Sequence, residues 1–279
     1  MFDFLAPSGP AVPVILSVPH AGRCYPADTA RLARVPADRL IALEDRHVDL
    51  LAAHAPAAGA ATLVARTPRA WIDLNRSEQD VDPAMIDPPI AFGRAPSAKV
   101  RGGLGLVPRR LAGVGDLWRA PLARASLDAR IQGVHRPYHA ALATAIADAH
   151  TRFGIAVLLD LHSMPPLGGA QPPTLVLGDR FGLTAGSRFT ARLRGEAEAA
   201  GLRVALNAPY QGGHILERHG APGRGIHAIQ VEVDRALYLG KSLRTPDSAG
   251  VARLARFIAT CVSALAEEAL GGTMPIAAE

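Results

Sequence analysis

Ile155-Ala156-Val157-Leu158-Leu159-Asp160-Leu161 is the strongest strand signal in the chain. Continuous apolar runs of this kind are typical of strands buried on both faces of a parallel sheet. Further strand-like runs lie at 12–18, 62–64, 70–72, 174–177, 202–206 and 227–233. Segments with helical spacing separate them, at 37–54, 117–153 (interrupted near Pro137), 185–201 and 249–270. This alternation predicts an α/β fold whose sheet is mainly parallel, or mixed, with helices on both faces.

The length and composition suit one compact enzyme-sized body. The chain has 279 residues, of which 49% are hydrophobic, and it contains no internal repeat and no linker-like segment. We therefore expect a single domain over residues 1–279. The formal charge is +5 and the pI about 9.7, but the basic residues are mostly scattered arginines without interleaved aromatic residues. This pattern argues against a nucleic-acid partner and suits a small anionic substrate.

The cellular location is predicted from two features that the sequence does not show, a membrane-spanning stretch and a signal peptide. The apolar stretches are shorter than the ~20 residues that cross a bilayer, and the N-terminus lacks the basic region of a signal peptide. The only cysteines, Cys24 and Cys261, are far apart in the sequence and suggest neither a disulfide framework nor a metal site. We expect a cytoplasmic protein without a membrane partner, and the sequence does not predict its oligomeric state.

Polar residues stand at the carboxyl ends of the predicted strands. The first strand leads into His20, the 155–161 run leads into His162, and the last strand carries Glu232. In open α/β sheets the ligand crevice lies just beyond these strand ends. Two histidines and a carboxylate with one open position form the ligand set of hydrolytic zinc. The chain lacks a local HExxH signature, so spacing alone leaves open that both histidines are structural.

The motifs of the chain resemble those of one family of enzymes, the N-formylglutamate amidohydrolases. Seven motifs occur in the family's order: Val18-Pro19-His20-Ala21-Gly22, Asp45-Arg46-His47, Asp73-Leu74-Asn75-Arg76, Pro137-Tyr138-His139, Asp160-Leu161-His162-Ser163, Gly212-Gly213-His214-Ile215 and Gln230-Val231-Glu232. The resemblance runs from about residue 12 to 240. The family is related to the zinc carboxypeptidases and the aspartoacylase-like deacylases, so the resemblance implies a phosphorylase/hydrolase-like fold and zinc-dependent amide hydrolysis.

The resemblance and the chemistry together assign the metal ligands. We predict that His20, Asp45 and His162 bind one zinc ion per chain. Asp45 is the least certain member of the set, because the family tends to have Thr-Asp-Trp where this chain has Glu44-Asp45-Arg46. Glu44 could be the ligand instead. Asp49 is a further candidate, and a position one helical turn after Asp45 would suit a supporting role.

The resemblance also suggests which residues carry the reaction. Glu232 is the expected general base. A carboxylate on a buried strand is costly unless it is paired with a cation or a proton, so its presence there suggests a catalytic role. A buried ion pair with an arginine is the alternative for Glu232. His214 follows two glycines and would polarise the substrate carbonyl or bind a carboxylate. Asp160 and Asp234 would support the site, for example by orienting a ligand histidine.

Substrate recognition is expected from the Asp73-Leu74-Asn75-Arg76 motif. Arg76 would clamp the substrate carboxylate because a guanidinium presents a planar fork that matches it. Asn75 would share this contact, and Arg69 would add a second one. His139 and His227 are expected near the site, and the Gly- and Pro-rich segment 82–115 is interpreted as a long loop that closes over the substrate.

The resemblance thus predicts a small acidic N-acyl amino acid as the partner. The expected reaction converts N-formyl-L-glutamate and water to formate and L-glutamate, a step of histidine degradation. The first alternative is a zinc deacylase or carboxypeptidase that acts on another N-acyl amino acid or a short peptide. A distant third is a metal- or ligand-binding protein without turnover, which would not need the base Glu232.

Overall fold

The computed structural model describes residues 1–89 and 95–271. The strands, in chain order, are β1 Phe2–Leu5, β2 Val14–Val18, β3 Ala61–Ala65, β4 Ile86–Asp87, β5 Arg110–Leu111, β6 Gly115–Asp116, β7 Leu122–Ala123, β8 Ala156–Met164, β9 Leu175–Gly178, β10 Val204–Leu206 and β11 Ile226–Asp234. The α-helices are α1 Thr29–Leu32, α2 Ala37–Leu40, α3 Ala98–Arg101, α4 Arg124–Arg130, α5 Arg136–Phe153, α6 Ser187–Ala199, α7 His214–His219 and α8 Ser248–Gly271. Short 3₁₀ segments and one π-helical segment, Ile131–His135, complete the secondary structure.

The main sheet has seven strands in the order β1-β3-β2-β8-β11-β9-β10. Strand β8 pairs in parallel with β2 on one side and with β11 on the other, and β10 pairs in parallel with β9. Strand β9 runs antiparallel to β11. The predicted α/β fold with a mixed sheet is therefore confirmed.

The strongest strand signal of the sequence forms the centre of this sheet. All nine residues of β8 are buried, as are all five of β2. Such strands can only be covered on both faces, which explains why their sequences read as continuous apolar runs rather than as alternating ones. Each leucine, valine or isoleucine buried there contributes roughly 1.5–3 kcal/mol to folding.

The chain folds into two compact units. Unit 1 comprises Met1–Asp3, Pro19–Arg46 and Val64–Ala141. Unit 2 comprises Phe4–Val18, His47–Leu63 and Leu142–Glu279, of which residues up to 271 are described. Unit 1 has its own apolar core, which includes Leu40, Ile72, Leu106 and Leu117. The single domain over 1–279 stays a prediction.

Helix α8 belongs to unit 2 and packs its buried side against α6 and β8. Among the described residues it is the one helix whose length and composition would allow it to cross a bilayer, and 56% of its most apolar window is buried. The core helices of soluble proteins meet the same criterion. One such helix is therefore weak evidence for a membrane.

Two expected elements are wrong, and a third begins later than expected. Residues 37–54 do not form one helix, because the chain turns extended at Glu44 and adopts a left-handed conformation at His47 (φ 60°) before a 3₁₀ turn, Val48–Ala52. Residues 70–72 form a turn instead of a strand. The helix expected from 117 begins at Arg124, passes through the π-helical segment Ile131–His135 just before Pro137, and continues to Phe153.

The segment 82–115 is less irregular than expected. It contains a 3₁₀ turn, strands β4 and β5, helix α3 and the start of β6. Residues 90–94 of the expected loop lie outside the described residues. Closure of this segment over a substrate stays a prediction.

Candidate active site

His20 lies between two carboxylates within unit 1. It follows β2 by two residues, and Pro19 ends the strand because it cannot donate a ladder hydrogen bond. The Nε2 atom of His20 lies 2.7 Å from Oδ1 of Asp73, and its Nδ1 atom lies 3.4 Å from Oδ2 of Asp45. All three residues are buried. The backbone N–H of Asp45 also donates to the carbonyl of His20 at 3.0 Å, which ties the two segments together.

The loop after His20 packs closely against the backbone of residues 66–67. A Cβ atom on Gly22 would collide with the carbonyl oxygen of Thr67. Only glycine fits there without moving the backbone. The backbone N–H of Cys24 donates to the carbonyl of Arg66 at 3.0 Å, which fixes the loop beyond Gly22.

Asp73 is the hub of the charged network in unit 1. It is fully buried and accepts hydrogen bonds from His20, from Nε of Arg69 at 2.8 Å and from the backbone N–H of Asn75 at 2.8 Å. Burial alone would raise the pKa of Asp73, but the charges of Arg69 and Arg76 and the contact with His20 hold this pKa well below its usual range. Asp73 is therefore an anion that can only accept, so Nε2 of His20 carries the proton of this hydrogen bond and Nδ1 faces Asp45.

The distance between His20 Nδ1 and Asp45 Oδ2 fits a shared metal ion. At 3.4 Å it is longer than a strong charge-assisted hydrogen bond. Two donors on one tetrahedral zinc, each about 2.0–2.1 Å from the metal, lie about 3.3 Å apart. The local geometry of this pair is thus compatible with a zinc ion.

The structure distinguishes Asp45 from the other candidate carboxylates. Glu44 accepts from the hydroxyl of Tyr25 on Oε1 and from Nη1 of Arg46 on Oε2, both at 2.7 Å. Burial and the contact with Glu44 raise the pKa of the Tyr25 phenol well above its usual range, so this donor stays protonated. Glu44 is thus occupied on both oxygens. Asp49 lies in the first turn of the 3₁₀ segment Val48–Ala52 and not one α-helical turn after Asp45, so the expected spacing is wrong.

The two arginines that are expected to bind substrate, Arg76 and Arg69, make different hydrogen bonds. Arg76 is buried and donates from Nε to the carbonyl of Leu104 at 2.9 Å and from Nη1 to the carbonyl of Asn75 at 2.7 Å. Its Nε also lies 3.9 Å from Oδ2 of Asp73. Burial lowers the pKa of Arg76, partly offset by Asp73. Arg69 instead uses Nε on Asp73.

In unit 2 a row of polar side chains occupies one face of the sheet. The register places Ser17 and Gln230 on either side of Asp160, and Glu232 beside His162. Residues paired across neighbouring strands, and residues two apart along a strand, point to the same face. Ser17 Oγ donates to Oδ1 of Asp160 at 2.8 Å, and His162 Nε2 lies 2.9 Å from Oδ2. As with His20, the carboxylate accepts a hydrogen bond from Nε2 of His162, which directs the Nδ1 side of the ring away from this aspartate.

Glu232 lies within β11 and not after it, and it is buried. Its Oε1 accepts from Nε2 of Gln230 at 2.9 Å. Arg235, the nearest arginine in sequence, donates to Oγ and to the carbonyl of Ser163 at 3.1 and 3.3 Å. The amide of Gln230 therefore orients one oxygen of the Glu232 carboxylate.

The histidines of helix α7 lie at its two ends. His214 begins α7, as its Gly-Gly-His motif suggested, and His219 ends the same helix. Burial lowers the pKa of His219 to about 4, with the charges of Arg218 and His214 adding to the effect and that of Asp160 opposing it. His219 thus lies within the electrostatic field of Asp160.

Two expected supporting residues have other roles. His227 lies at the amino end of β11, where its Nδ1 accepts from the backbone N–H of Gly186 at 3.2 Å and its ring packs on Phe189. Asp234 accepts from the N–H of Ala236 and caps a 3₁₀ turn. Both interactions are local to the ends of secondary structure elements.

Sequence reasoning missed the residues that act through hydrogen bonds. It used the aspartate of the Asp73-Leu74-Asn75-Arg76 motif only as a marker, and it named neither Ser17, Gln230 nor His219 as parts of the site. A signal existed for the first two, because Ser17 and Gln230 are polar residues within otherwise apolar strands and therefore need partners. The contact between Asp73 and His20 has no comparable signal, since the two residues are 53 positions apart in the sequence.

Comparison with known proteins gives a consistent result. The FGase family model, N-formylglutamate amidohydrolase, matches residues 12–239. The chain is 31% identical over 235 residues to an N-formylglutamate deformylase of Pseudomonas putida and 31% identical over 236 residues to one of Pseudomonas aeruginosa, with 82% of this chain and 82% of each relative covered. The crystal structure of an N-formylglutamate amidohydrolase from Ralstonia eutropha JMP134 has a TM-score of 0.90 and 35% identity and covers 98% of this chain and 99% of its own. A gene product of Agrobacterium tumefaciens, 20% identical with a TM-score of 0.68 and a coverage of 97% and 95%, shares the fold.

Proposed function

The chain belongs to the N-formylglutamate amidohydrolase family, and we propose that it hydrolyses N-formyl-L-glutamate to formate and L-glutamate with one zinc ion per chain. Family membership makes it a hydrolase that acts on an amide. The substrate, the metal and the residue roles are parts of the proposal. A role in histidine degradation and a cytoplasmic location belong to it as well.

One observation supports the metal most strongly: both histidines of the predicted ligand set are backed by a buried aspartate. His20 donates to Asp73 and His162 to Asp160, each from Nε2. Metal-binding histidines almost always donate their second ring N–H in this way, which fixes the tautomer and the ring orientation. Two structural histidines would not both need a buried carboxylate behind them.

The proposed ligands are His20 and Asp45 of unit 1 and His162 of unit 2, two histidines and one carboxylate, which is the donor set of hydrolytic zinc. His20 follows β2, and the neighbouring strand β8 carries His162 near its own carboxyl end. Ligands of open α/β sheets bind beyond these strand ends, which favours a shared site. A zinc ion there supplies Lewis-acid chemistry, polarising the amide carbonyl and lowering the pKa of a water molecule.

The side chains of the chain supply the proton transfers. Glu232, oriented by Gln230, accepts a proton from the attacking water while the water oxygen bonds to the formyl carbon. The C–N bond then breaks, and Glu232 returns the proton to the leaving amine nitrogen, so that formate and glutamate result. His214, at the start of α7, is the residue proposed to polarise the carbonyl or to bind a carboxylate.

The substrate carries two carboxylates, so recognition requires cationic donors. Arg76 is the proposed clamp for one of them, because a guanidinium matches a carboxylate as a planar fork and its Nε and Nη1 contacts hold this side chain in place. Asn75 lies beside it, and Arg69 is the proposed second contact. Its Nε donates to Asp73, which positions the partly exposed guanidinium beside Asn75 and Arg76 in the same network.

The proposal is tested by metal analysis combined with an assay of formate and amine release. We expect about one zinc per chain, activity that a chelator removes and zinc restores, and the highest kcat/KM for N-formyl-L-glutamate. N-formyl-L-glutamine is the matched control for the side-chain carboxylate, and N-acetyl- and N-succinyl-L-glutamate test the acyl group. A preference for another acyl group or for a short peptide would favour the alternative deacylase or carboxypeptidase. Full activity in metal-free protein would overturn the zinc proposal, and absence of turnover on the whole panel would favour a binding protein.

A further inference from the structure

Two buried histidines hold the backbone of segment 73–76. His135 Nε2 lies 2.8 Å from the carbonyl oxygen of Arg76, and His139 Nε2 lies 3.0 Å from that of Leu74. Both histidines are fully buried. Since a carbonyl oxygen only accepts, each imidazole donates from Nε2. The segment that carries the proposed clamp is thus fixed by side chains of a different element.

These histidines share one face of one continuous helical stretch. His135 ends the π-helical segment Ile131–His135, and His139 lies four residues later in α5. Their ring centroids are 4.4 Å apart. π-Helical segments are rare and frequently occur at functional sites, where the extra residue changes the register of the side chains.

The held segment is a turn and not a strand, so side-chain contacts rather than a strand ladder fix it. Its internal contacts include the hydrogen bonds of the Asn75 and Arg76 N–H groups to Asp73 and of Arg76 Nη1 to the carbonyl of Asn75. These internal contacts do not use the carbonyls of Leu74 and Arg76. Without a donor, a buried carbonyl costs about 1–3 kcal/mol and would turn to find another partner. Such a turn would carry the side chains of Asn75 and Arg76 with it.

We propose that His135 and His139 are positioning residues that set the substrate-binding geometry of Asn75 and Arg76. This inference rests on the proposed function of segment 73–76 in substrate binding. The histidines act through the backbone and do not touch the substrate. Their loss should therefore weaken substrate binding more than it slows the chemical step.

The test compares asparagine and glutamine at each histidine position, because these two amide side chains differ only in length. The amide nitrogen of glutamine lies near the position of Nε2 of histidine, whereas that of asparagine lies near Nδ1 and is too short to reach the carbonyl. We expect His135→Asn and His139→Asn to raise KM for N-formyl-L-glutamate about tenfold or more with kcat changed less than about threefold, since small misplacements of a binding group are costly. His135→Gln and His139→Gln should stay within about threefold of the wild type in both constants.

The matched control is His150, which lies on the same helix and also donates from Nε2 to a backbone carbonyl, that of Arg224 at 2.9 Å. His150→Asn should leave KM unchanged. Urea unfolding of every variant separates positioning from stability. A lower stability of the Asn variants with an unchanged KM would overturn the inference, as would Gln variants that behave like the Asn variants.

Activity measurements on the wild-type protein test the proposed function separately from this inference. If the wild-type protein hydrolyses a different N-acyl amino acid, the same comparison is made on that substrate, because the α-carboxylate is common to the class. If it hydrolyses none, the Kd of L-glutamate measured by calorimetry replaces KM. Equal values for the Asn and Gln variants would then contradict the inference.

Discussion

Replacing Asp73 by asparagine should weaken both zinc binding and folding. Asp73 is fully buried and contacts His20 at 2.7 Å and Arg69 at 2.8 Å, with Nε of Arg76 at 3.9 Å. Asparagine has nearly the same shape but no charge. It leaves two guanidinium groups without their shared anion and gives His20 a weaker acceptor.

The magnitude follows from these contacts. Removing one partner of a buried ion pair costs about 3–5 kcal/mol, because the remaining charge stays buried without compensation. Arg69 is partly exposed and can turn to water, so we expect a loss of about 3 kcal/mol, the lower end of that range, in metal-free protein. Loss of the carboxylate behind a metal-binding histidine typically lowers metal affinity 10–100-fold.

Zinc affinity is measured by competition with a chromophoric chelator, and stability by urea unfolding in the presence of EDTA. Asp3 provides the matched control, because it also accepts from Nε of an arginine, Arg66, at 2.7 Å, but in an exposed position. Asp3→Asn should lose less than about 1 kcal/mol and keep its zinc affinity. If Asp73→Asn and Asp3→Asn behave alike in both measurements, Asp73 is not the hub of this network.

Three further predictions concern catalysis, recognition and pH. Glu232→Gln should keep its zinc while kcat falls about 10²–10⁴-fold, since an amide cannot accept the proton, whereas Asp45→Asn should lose metal affinity and activity together. Arg76→Ala should raise the transition-state free energy for substrates with a free α-carboxylate by about 2–5 kcal/mol, and Arg76→Lys should restore only part of the loss, because an ammonium lacks the fork. Burial lowers the pKa of His219 to about 4, below its unfolded value of about 6.5, so folding stability is lost as pH falls between these values. Between pH 7 and pH 5, measured by urea unfolding in EDTA, the wild type should therefore lose about 2 kcal/mol more than His219→Gln.

Each of these predictions has a clear contrary result. Loss of metal from Glu232→Gln with retention in Asp45→Asn would mean that the two carboxylates have exchanged roles. Unchanged kcat/KM in both Arg76 variants would place the clamp elsewhere, with Arg69 the next residue to replace. Parallel pH profiles for the wild type and His219→Gln would show that His219 titrates normally in the folded protein.

The sheet and the chemistry of its central strands were predictable from the order of residues alone. Strand β8 was predictable because an apolar run of its length can be covered only inside a sheet, and β2 and β11 followed from shorter runs of the same kind. Their polar residues were conspicuous for the same reason, since a histidine or glutamate in such a run needs a partner or a function. The order of the motifs was sufficient to indicate the family.

How these residues are supported depends on contacts that form only in the folded chain. The chain around Asp45 is extended and not helical, because its N–H bonds to the carbonyl of His20, a residue far back in the sequence. Likewise His20 is oriented by Asp73, and segment 73–76 is held by His135 and His139. These side-chain hydrogen bonds join residues 53 to 65 positions apart, and no local propensity reports such a pairing. Strand periodicity reflects the burial of a whole face, whereas the choice of one donor for one acceptor is made only when the folded chain brings the two together.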